Sequence, residues 1–273
     1  MSSLTPIQAR YEEIMRDNVS GSSDLAVKVC RFFEDFSKSD YMKLKSYAKR
    51  IYAYFTGMGV VRNTALELIS TMDDGEDIAV KCQEIQLRMN HQSSMALKKI
   101  SSLFSKEVSV ATISRSSQVS AAFLRYSGRI REVYVLESRP MFEGVYLHKE
   151  LLKNGLRSIL LTDASMGEAC RKADLCLAGC DSLLGDGTLI HKAGTLPLFS
   201  TMHYYSKCNY AIGLGMKEEQ NWTMDTYPEF REHPCKELGL DDGSCRNRYF
   251  EKVPHDLIDG ICTETGIRKF NPQ

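Results

Sequence analysis

The sequence has no net charge, no long apolar run and none of the common glycine-rich phosphate motifs. Lys and Arg together number 35, as do Asp and Glu, and this balance argues against a broad surface for nucleic acid. No stretch of about 18 apolar residues occurs, so no membrane-spanning helix is expected. Residues 1–16 are polar and lack the apolar core of a signal peptide. With neither G-x-G-x-x-G nor G-x-x-x-x-G-K-[ST] present, a standard dinucleotide site or P-loop is not expected. We therefore expect a cytoplasmic protein with no membrane partner and no direct nucleic-acid partner.

Cysteine is frequent, but it lacks the spacing of a disulfide framework or a zinc site. The nine cysteines are odd in number, and Cys30, Cys82 and Cys176 replace apolar residues within periodic runs. This usage favours reduced core cysteines in a cytosolic protein. Zinc sites usually contain tight C-x₂₋₄-C pairs that are repeated. Two groups lack such repeated pairs, so we predict no metal and no cofactor: Cys170, Cys176 and Cys180, and the loosely spaced His233, Cys235, Cys245 and His255.

The first hundred residues have the period of helices. Apolar side chains recur every three or four residues after candidate N-caps at Ser22 and Ser39. No proline interrupts residues 7–139. The pattern predicts a helical bundle over residues 1–106. Its predicted core positions are Leu25, Val29, Phe32, Phe33, Phe36, Leu44, Ala48, Ile51, Phe55, Ile78, Cys82, Ile85, Met89, Ala96, Ile100 and Phe104.

Residues 107–273 alternate short apolar runs with helical segments. Such alternation predicts an α/β domain with a doubly wound, mostly parallel sheet. The stretch "LLGDGTLI" (Leu183–Ile190) instead indicates a tight hairpin, and the polar residues 218–254 are expected to form irregular loops. The predicted strands are Val108–Ile113, Val133–Leu136, Ser158–Leu161, Leu175–Ala178, Tyr210–Leu214 and Leu257–Thr263, and the predicted helices are Val119–Tyr126, Leu147–Lys153, Gly167–Lys172 and Leu196–Tyr205.

Polar residues cluster at the predicted carboxyl ends of several strands. The stretch "VATISRSSQV" passes from β-branched residues into Ser114, Arg115, Ser116 and Ser117 just before a predicted helix. Open α/β sheets bind ligands at these strand ends, and helix N-termini attract phosphate. The cluster therefore predicts a site for a phosphorylated small molecule. A serine that merely caps the next helix is the alternative.

Five stretches occur in the order and spacing of one known family. They are "SGSSDLA" (Ser20–Ala26), "VYVLESRPMFEG" (Val133–Gly144), "LTDASMG" (Leu161–Gly167), "AGCDSLLGDGTLIHKAGT" (Ala178–Thr195) and "DLIDGICTETGI" (Asp256–Ile267). With them the chain resembles the alpha, beta and delta subunits of translation initiation factor 2B. The wider superfamily includes isomerases of methylthioribose 1-phosphate and ribose 1,5-bisphosphate. The resemblance implies a helical N-terminal domain and a Rossmann-like C-terminal domain. It also implies a homo-oligomer, a dimer or larger, formed through the C-terminal domain, and a translation G-protein as a candidate partner.

The resemblance also implies roles for individual residues. The isomerases use a cysteine after the first strand of the second domain and an aspartate in a Gly-Ala-Asp motif. Asp181 matches the aspartate and Ser114 falls on the cysteine, so these two are the catalytic candidates. A thiol can ionise near neutral pH, whereas a serine hydroxyl needs an adjacent base. His191 replaces an asparagine of the isomerases, and Glu143 replaces a glutamine.

These departures favour a regulatory or binding protein with a sugar-phosphate or nucleotide-monophosphate cleft. The alternatives are an aldose–ketose isomerase that uses Asp181 and Ser114, and a scaffold that only oligomerises. Arg139 could bind a phosphate or pair with Glu137, and Asp181 could be a structural carboxylate. The predicted ligand-binding residues are Ser114, Arg115, Ser116, Ser117, Arg139, Glu143, His191 and Lys192.

Overall fold

The computed structural model describes residues 5–241 and 243–270, and its first part is helical, as predicted. The longest helix, α5, ends where a short 3₁₀ segment, Ile100–Phe104, leads to the first strand. Helix α4 is not among the predicted helices, although its buried side chains belong to the same core. The helices are α1 (Pro6–Met15), α2 (Ser22–Asp35), α3 (Tyr41–Tyr54), α4 (Gly59–Asp73) and α5 (Ile78–Lys99).

Two helices begin at caps other than the predicted ones. Gly21 is the N-cap of α2, so Ser22 lies inside the first turn. Helix α3 begins at Asp40, whose carboxylate accepts a hydrogen bond from the Lys43 N–H at 2.8 Å, and not at Ser39. Aspartate and serine are comparable N-caps, so their order in the chain could not decide between them.

The second part is built on a seven-stranded sheet. Its strand order is β11-β10-β7-β4-β1-β2-β3, and every pairing is parallel except that of β10 with β11. The strand order reverses between β1 and β4, which creates a crevice at the carboxyl ends of these two strands. The strands are β1 (Val108–Thr112), β2 (Ile130–Leu136), β3 (Ser158–Leu161), β4 (Leu175–Gly179), β7 (Cys208–Ile212), β10 (Gly260–Thr263) and β11 (Gly266–Lys269), and the helices are α6 (Ser117–Arg125), α7 (Glu143–Lys153), α8 (Met166–Lys172) and α9 (Thr195–Tyr204).

A second, four-stranded sheet lies beside the first. The hairpin prediction is confirmed by β5 (Ser182–Leu184) and β6 (Leu189–Lys192), which pair antiparallel. Residues 218–254 are not entirely irregular, because β8 (Glu218–Glu219) pairs with β5 and β9 (Phe250–Val253) pairs with β6. The last predicted strand starts too early, since His255–Leu257 forms a 3₁₀ turn before β10. Two-residue β8 and the partly buried β9 have no clear apolar alternation, which explains why sequence pattern missed them.

One cysteine prediction is wrong. Cys235 and Cys245, ten positions apart in the polar segment, form a disulfide. The other described cysteines are free, and all are buried except the half-buried Cys208. Apolar periodicity identifies core cysteines, but it does not show which loop residues the fold brings together.

A buried ion pair joins the helical part to the second sheet. Arg62 of α4 and Glu219 of β8 approach to 2.8 Å (Nε to Oε1), with only 2% and 3% of their side chains exposed. The Arg62 guanidinium also lies 4.4 Å from the centre of the Tyr52 ring. Tyr227 donates a hydrogen bond to the second Glu219 oxygen at 2.9 Å. The apolar cores cross the predicted 106/107 boundary as well, because Ala96 of α5 packs with the side chains of the sheet. The division into domains of residues 1–106 and 107–273 stays a prediction.

Among the described residues, no helix combines the length and the apolar character needed to cross a membrane.

Candidate functional site

A cavity of about 650 Å³ lies at the crevice between β1 and β4. Its walls come from both parts of the chain. The helical part contributes residues 18–24 and Met58, and the α/β part contributes the ends of β1 and β4, helix α7 and the second sheet. Predicted site residues that line it are Ser114, Arg115, Ser116, Ser117, Glu143, Asp181, His191 and Lys192. Arg139 is not among the lining residues.

The serine cluster forms a left-handed turn before α6. Ser114 has a φ of 67°, and its N–H donates to Ser138 Oγ at 2.7 Å. Ser116 is the N-cap of α6, but its hydroxyl makes no capping hydrogen bond. The first N–H groups of a helix have no partner within the helix, and Ser116 and Ser117 at the start of α6 line the cavity. Ser116 thus occupies the cap position without a side-chain cap bond, and the choice between a cap and a ligand site stays a prediction.

Glycine at position 179 allows two site residues to come close to the end of β4. A Cβ on Gly179 would lie 2.7 Å from Ser116 Cβ and 2.8 Å from His191 Nε2. Real Cβ atoms essentially never make contacts that short, so any side chain there would displace the serine turn or the imidazole. The glycine in "AGCD" is thus required by packing at the site.

A second serine-rich helix N-terminus faces the same cavity. Ser20, Gly21, Ser22 and Ser23 precede and begin α2, and all four line the cavity. The Ser22 hydroxyl donates to Asp181 Oδ1 at 2.9 Å, across 159 positions of sequence. Sequence reasoning read Ser22 only as a helix cap. The sequence signal that could have identified Ser22 as a site residue is the similarity between "SGSS" and "SRSS", each of which stands at the start of a helix.

His191 is buried beside Asp181, and its hydrogen bonds fix its tautomer. The Thr195 hydroxyl donates to the Lys192 carbonyl at 2.7 Å, so it accepts from His191 Nδ1–H at 2.8 Å. Nε2 is then the nitrogen without a proton, and it lies 4.0 Å from Asp181 Oδ2. Burial lowers the pKa of His191 to about 4, against the opposing attraction of Asp181. The imidazole is therefore neutral at physiological pH and offers an acceptor.

Two lysines reach the cavity from buried positions. Lys192 Nζ donates to Glu143 Oε1 at 2.7 Å and lies 4.9 Å from the centre of the Tyr249 ring. Lys217 was not predicted; its ammonium donates to the Cys180 carbonyl at 2.6 Å. Both side chains are nearly inaccessible to bulk water. Lys217 follows β7 in a segment without a known motif, so nothing in the sequence distinguished it from a surface lysine.

The two predicted arginines are engaged elsewhere. Arg115 pairs with Glu150 at 3.0 Å while half of its side chain is exposed. Arg139 packs over the Phe142 ring at 4.7 Å and approaches the Glu237 carbonyl at 3.5 Å. Among the described contacts Arg139 does not pair with Glu137, which was one of the two alternatives that the sequence suggested. Arg115 thus remains at the cavity rim and Arg139 outside it.

Chemically, the cavity holds hydroxyls, lysines and acceptors but no reactive thiol. Cys180 is the one cysteine among the residues that line it, and burial raises the pKa of its thiol to about 12. The Cys180 side chain packs against Gly213. Within the described residues no cluster of His, Cys, Asp and Glu could hold a metal ion. The arrangement is suited to binding an anion with hydroxyl groups.

The sequence of this chain matches the model of one protein family. The model of the Initiation factor 2 subunit family matches residues 57–270, and the chain belongs to that family. A relative from Pyrococcus furiosus, with the provisional name translation initiation factor eIF-2B subunit 2-like, is 25% identical over 270 residues, 94% of each chain. A like-named relative from Pyrococcus horikoshii is 30% identical over 142 residues, 50% of this chain and 48% of that one. This chain thus matches about half the length of the second relative.

Relatives named as isomerases match the chain too. The ribose 1,5-bisphosphate isomerase of Thermococcus kodakarensis is 24% identical over 205 residues, 65% of this chain and 59% of that enzyme. Among solved structures, the translation initiation factor eIF-2B of Pyrococcus horikoshii superposes with a TM-score of 0.81 at 25% identity, covering 97% of each chain. Family membership therefore includes both named functions and does not choose between them.

Proposed function

We propose that the chain is an initiation factor 2B-like regulatory or binding protein whose cavity takes a sugar phosphate or a nucleoside monophosphate without isomerising it. The observation that carries the proposal is the convergence of two serine-rich helix N-termini with buried Lys217 on one cavity. Backbone N–H groups and a lysine ammonium are the usual partners of a phosphate. His191 and Asp181 stand beside them as acceptors for sugar hydroxyls.

The absence of an activated nucleophile supports binding over catalysis. Ser114 donates its backbone N–H to Ser138, and no described hydrogen bond joins its hydroxyl to a base. Proton transfer needs a group whose pKa lies near the working pH, and burial holds the Cys180 thiol far above it. One observation favours the isomerase alternative: Asp181 and the unprotonated His191 Nε2 are two proton acceptors only 4.0 Å apart.

Ligand binding is tested by thermal unfolding in the presence of millimolar ribose 5-phosphate, AMP or inorganic phosphate. We expect the sugar phosphate or the nucleotide to raise the melting temperature. Lys217→Met, which keeps most of the length of the side chain and removes its charge, should abolish the rise. No stabilisation by any phosphorylated compound would overturn the proposal and favour a scaffold.

Catalysis is tested separately by following ketose formation from ribose 1,5-bisphosphate and methylthioribose 1-phosphate. We expect no turnover above the uncatalysed rate. Turnover that disappears in Asp181→Asn would establish the isomerase instead.

We further propose that the α/β part mediates a homo-oligomer and that the protein meets a translation G-protein in the cytoplasm. On this part the neighbouring Tyr204 and Tyr205 are exposed at 80% and 37%, and adjoining exposed apolar side chains are typical of interaction surfaces. Light scattering on the purified chain tests self-association, with a monomer counting against it. Co-purification with a G-protein initiation factor tests the partner.

A further inference from the structure

The cavity continues along helices α6 and α7 beyond their first turns. Its lining residues on each helix recur at intervals of three and four positions, so they form one stripe on one face of the helix. The opposite face of α6, with Val119, Ala122 and Phe123, is buried in the core. The two stripes are Ser117, Ser120, Ala121 and Leu124 on α6, and Glu143, Tyr146 and Glu150 on α7.

The stripes become apolar with distance from the starts of the helices. On α6, Ala121 and Leu124 follow Ser117 by about 6 and 10 Å along the helix axis. On α7, Tyr146 lines the cavity while 58% of the residue remains exposed. These three apolar residues, Ala121, Leu124 and Tyr146, form the outer groove of the cavity. A large aromatic side chain that lines a cavity and is still exposed has contact area left for a ligand.

The charged groups beside the outer groove are held in a small network. Arg115 Nε donates to Glu150 Oε2 at 3.0 Å, and the Ser120 hydroxyl donates to the other Glu150 oxygen. Glu150 lies one turn after Tyr146 on the same stripe, so the guanidinium lies close to the aromatic ring. Half of the Arg115 side chain is exposed, and its terminal nitrogens make no hydrogen bond among the described residues. The helical part adds one carboxylate to the cavity lining, Asp24 of α2. The outer groove therefore has N–H donors beside an apolar surface.

We propose that the outer groove is a nucleobase subsite, so that the ligand is a nucleoside monophosphate whose base packs on Tyr146. This assignment rests on the proposed function and narrows its ligand class. A base has two apolar faces and carries ring nitrogens that accept hydrogen bonds at its edge. One face packs on Tyr146 and against Leu124, and the edge accepts from Arg115. The cavity volume of about 650 Å³ lies in the range of sites for ligands of this size. A sugar phosphate alone has no apolar face and would leave the outer groove to water.

The test compares two ligands that share a phosphorylated ribose and differ by the base. Dissociation constants of AMP and ribose 5-phosphate are measured by calorimetry for the natural protein and for Tyr146→Ala. We expect the natural protein to bind AMP about tenfold more tightly than ribose 5-phosphate, because a base gains affinity by stacking on an aromatic ring. Tyr146→Ala should weaken AMP by about tenfold and leave ribose 5-phosphate within about twofold. Tyr146→Phe keeps the ring and should bind AMP as the natural protein does.

A matched control lies on the same helix. Leu152→Ala removes another exposed apolar side chain from α7, one that is not among the lining residues, and should change neither affinity. Equal affinities for the two ligands in the natural protein would overturn the base subsite and leave the binding function intact. A Tyr146→Ala variant that loses both ligands to the same degree would overturn it too. If neither ligand binds the natural protein, the proposed function itself fails.

Two further measurements separate a base subsite from a structural role of Tyr146. Melting curves in the absence of ligand should agree for the natural protein and Tyr146→Ala, since an exposed side chain contributes little to stability. Light scattering should give the same molecular mass for both proteins. A change of mass would assign Tyr146 to a contact between subunits and contradict the inference.

Discussion

Buried His191 should make the stability of the protein depend on pH in a defined window. An unfolded chain binds a proton on this histidine below pH 6.5, whereas burial lowers the pKa of the folded histidine to about 4. The unfolded state therefore binds more protons between these two values, so the free energy of unfolding falls as the pH drops through the window. Below about pH 4 both states are protonated and the loss levels off. From pH 7 to pH 4.5 the loss amounts to about 2 kcal/mol.

Urea titrations at half-unit steps from pH 7 to pH 4.5, followed by the fluorescence of Trp222, measure this effect. His191→Asn should flatten the pH dependence by about 2 kcal/mol relative to the natural protein. Titrating carboxylates contribute to both curves, so the difference isolates the imidazole. His203→Asn, which changes an exposed histidine on α9, is the control and should follow the natural protein. Parallel curves for His191→Asn and the natural protein would refute a buried neutral imidazole.

Three further substitutions test the site and its supports. Gly179→Ala should lower the free energy of unfolding by about 1–3 kcal/mol in urea titrations, because the new Cβ would collide with Ser116 and His191. It should also abolish stabilisation by the ligand. Unaltered ligand binding would contradict the tight packing. Arg62→Met should lower the free energy of unfolding by about 3–5 kcal/mol, since it leaves the Glu219 carboxylate buried and unpaired. The double variant Arg62→Met with Glu219→Leu should recover most of that loss. Losses that simply add would argue against coupling between the two residues. Ser114→Gly should raise stability by about 1 kcal/mol, because glycine tolerates a positive φ, yet weaken ligand binding in calorimetry; lower stability would argue against strain at this turn.

Sequence pattern predicted those helices and strands whose buried side chains recur at regular intervals along the chain. Short apolar runs between helical segments identified β1 through β4 and α6 through α9, because strands such as β1 and β4 are buried along their whole length whereas the helices bury one face. The second sheet escaped prediction except for its hairpin. Strands β8 and β9 have no regular alternation, and their partners are fixed by the folded hairpin rather than by local propensity. The disulfide between Cys235 and Cys245 escaped for the same reason.

The site could be predicted only where a motif stands at the end of a strand. Ser114, Asp181 and His191 all lie in such motifs, and all line the cavity. Lys217 lines it too, but it comes from a segment without a recognised motif, and Ser22 lies in the family stretch "SGSSDLA", for which no site role was predicted. Arg139 also stands at a strand end, but its side chain lies over the Phe142 ring. Strand ends specify where a backbone goes, while the direction of a long side chain depends on its neighbours.

The left-handed conformations of Ser114, in the cavity wall, and of Ser138 beside it bear on the two interpretations of the serine cluster. Ser114 and Ser138 both have positive φ values, 67° and 65°, and a hydrogen bond joins them. A helix cap needs an extended residue and one hydroxyl, so capping would not require either conformation. Each such residue costs roughly 1 kcal/mol, and strain of this kind concentrates at functional sites. Ser116 and Ser117 at the start of α6 line the same cavity as Ser22 and Ser23 at the start of α2. Ser22 of α2 is hydrogen-bonded to Asp181, which follows β4. A ligand bound beside these two residues would therefore contact both the helical part and the α/β part of the chain. Its binding would stabilise the packing of the two parts as well as the serine turn before α6.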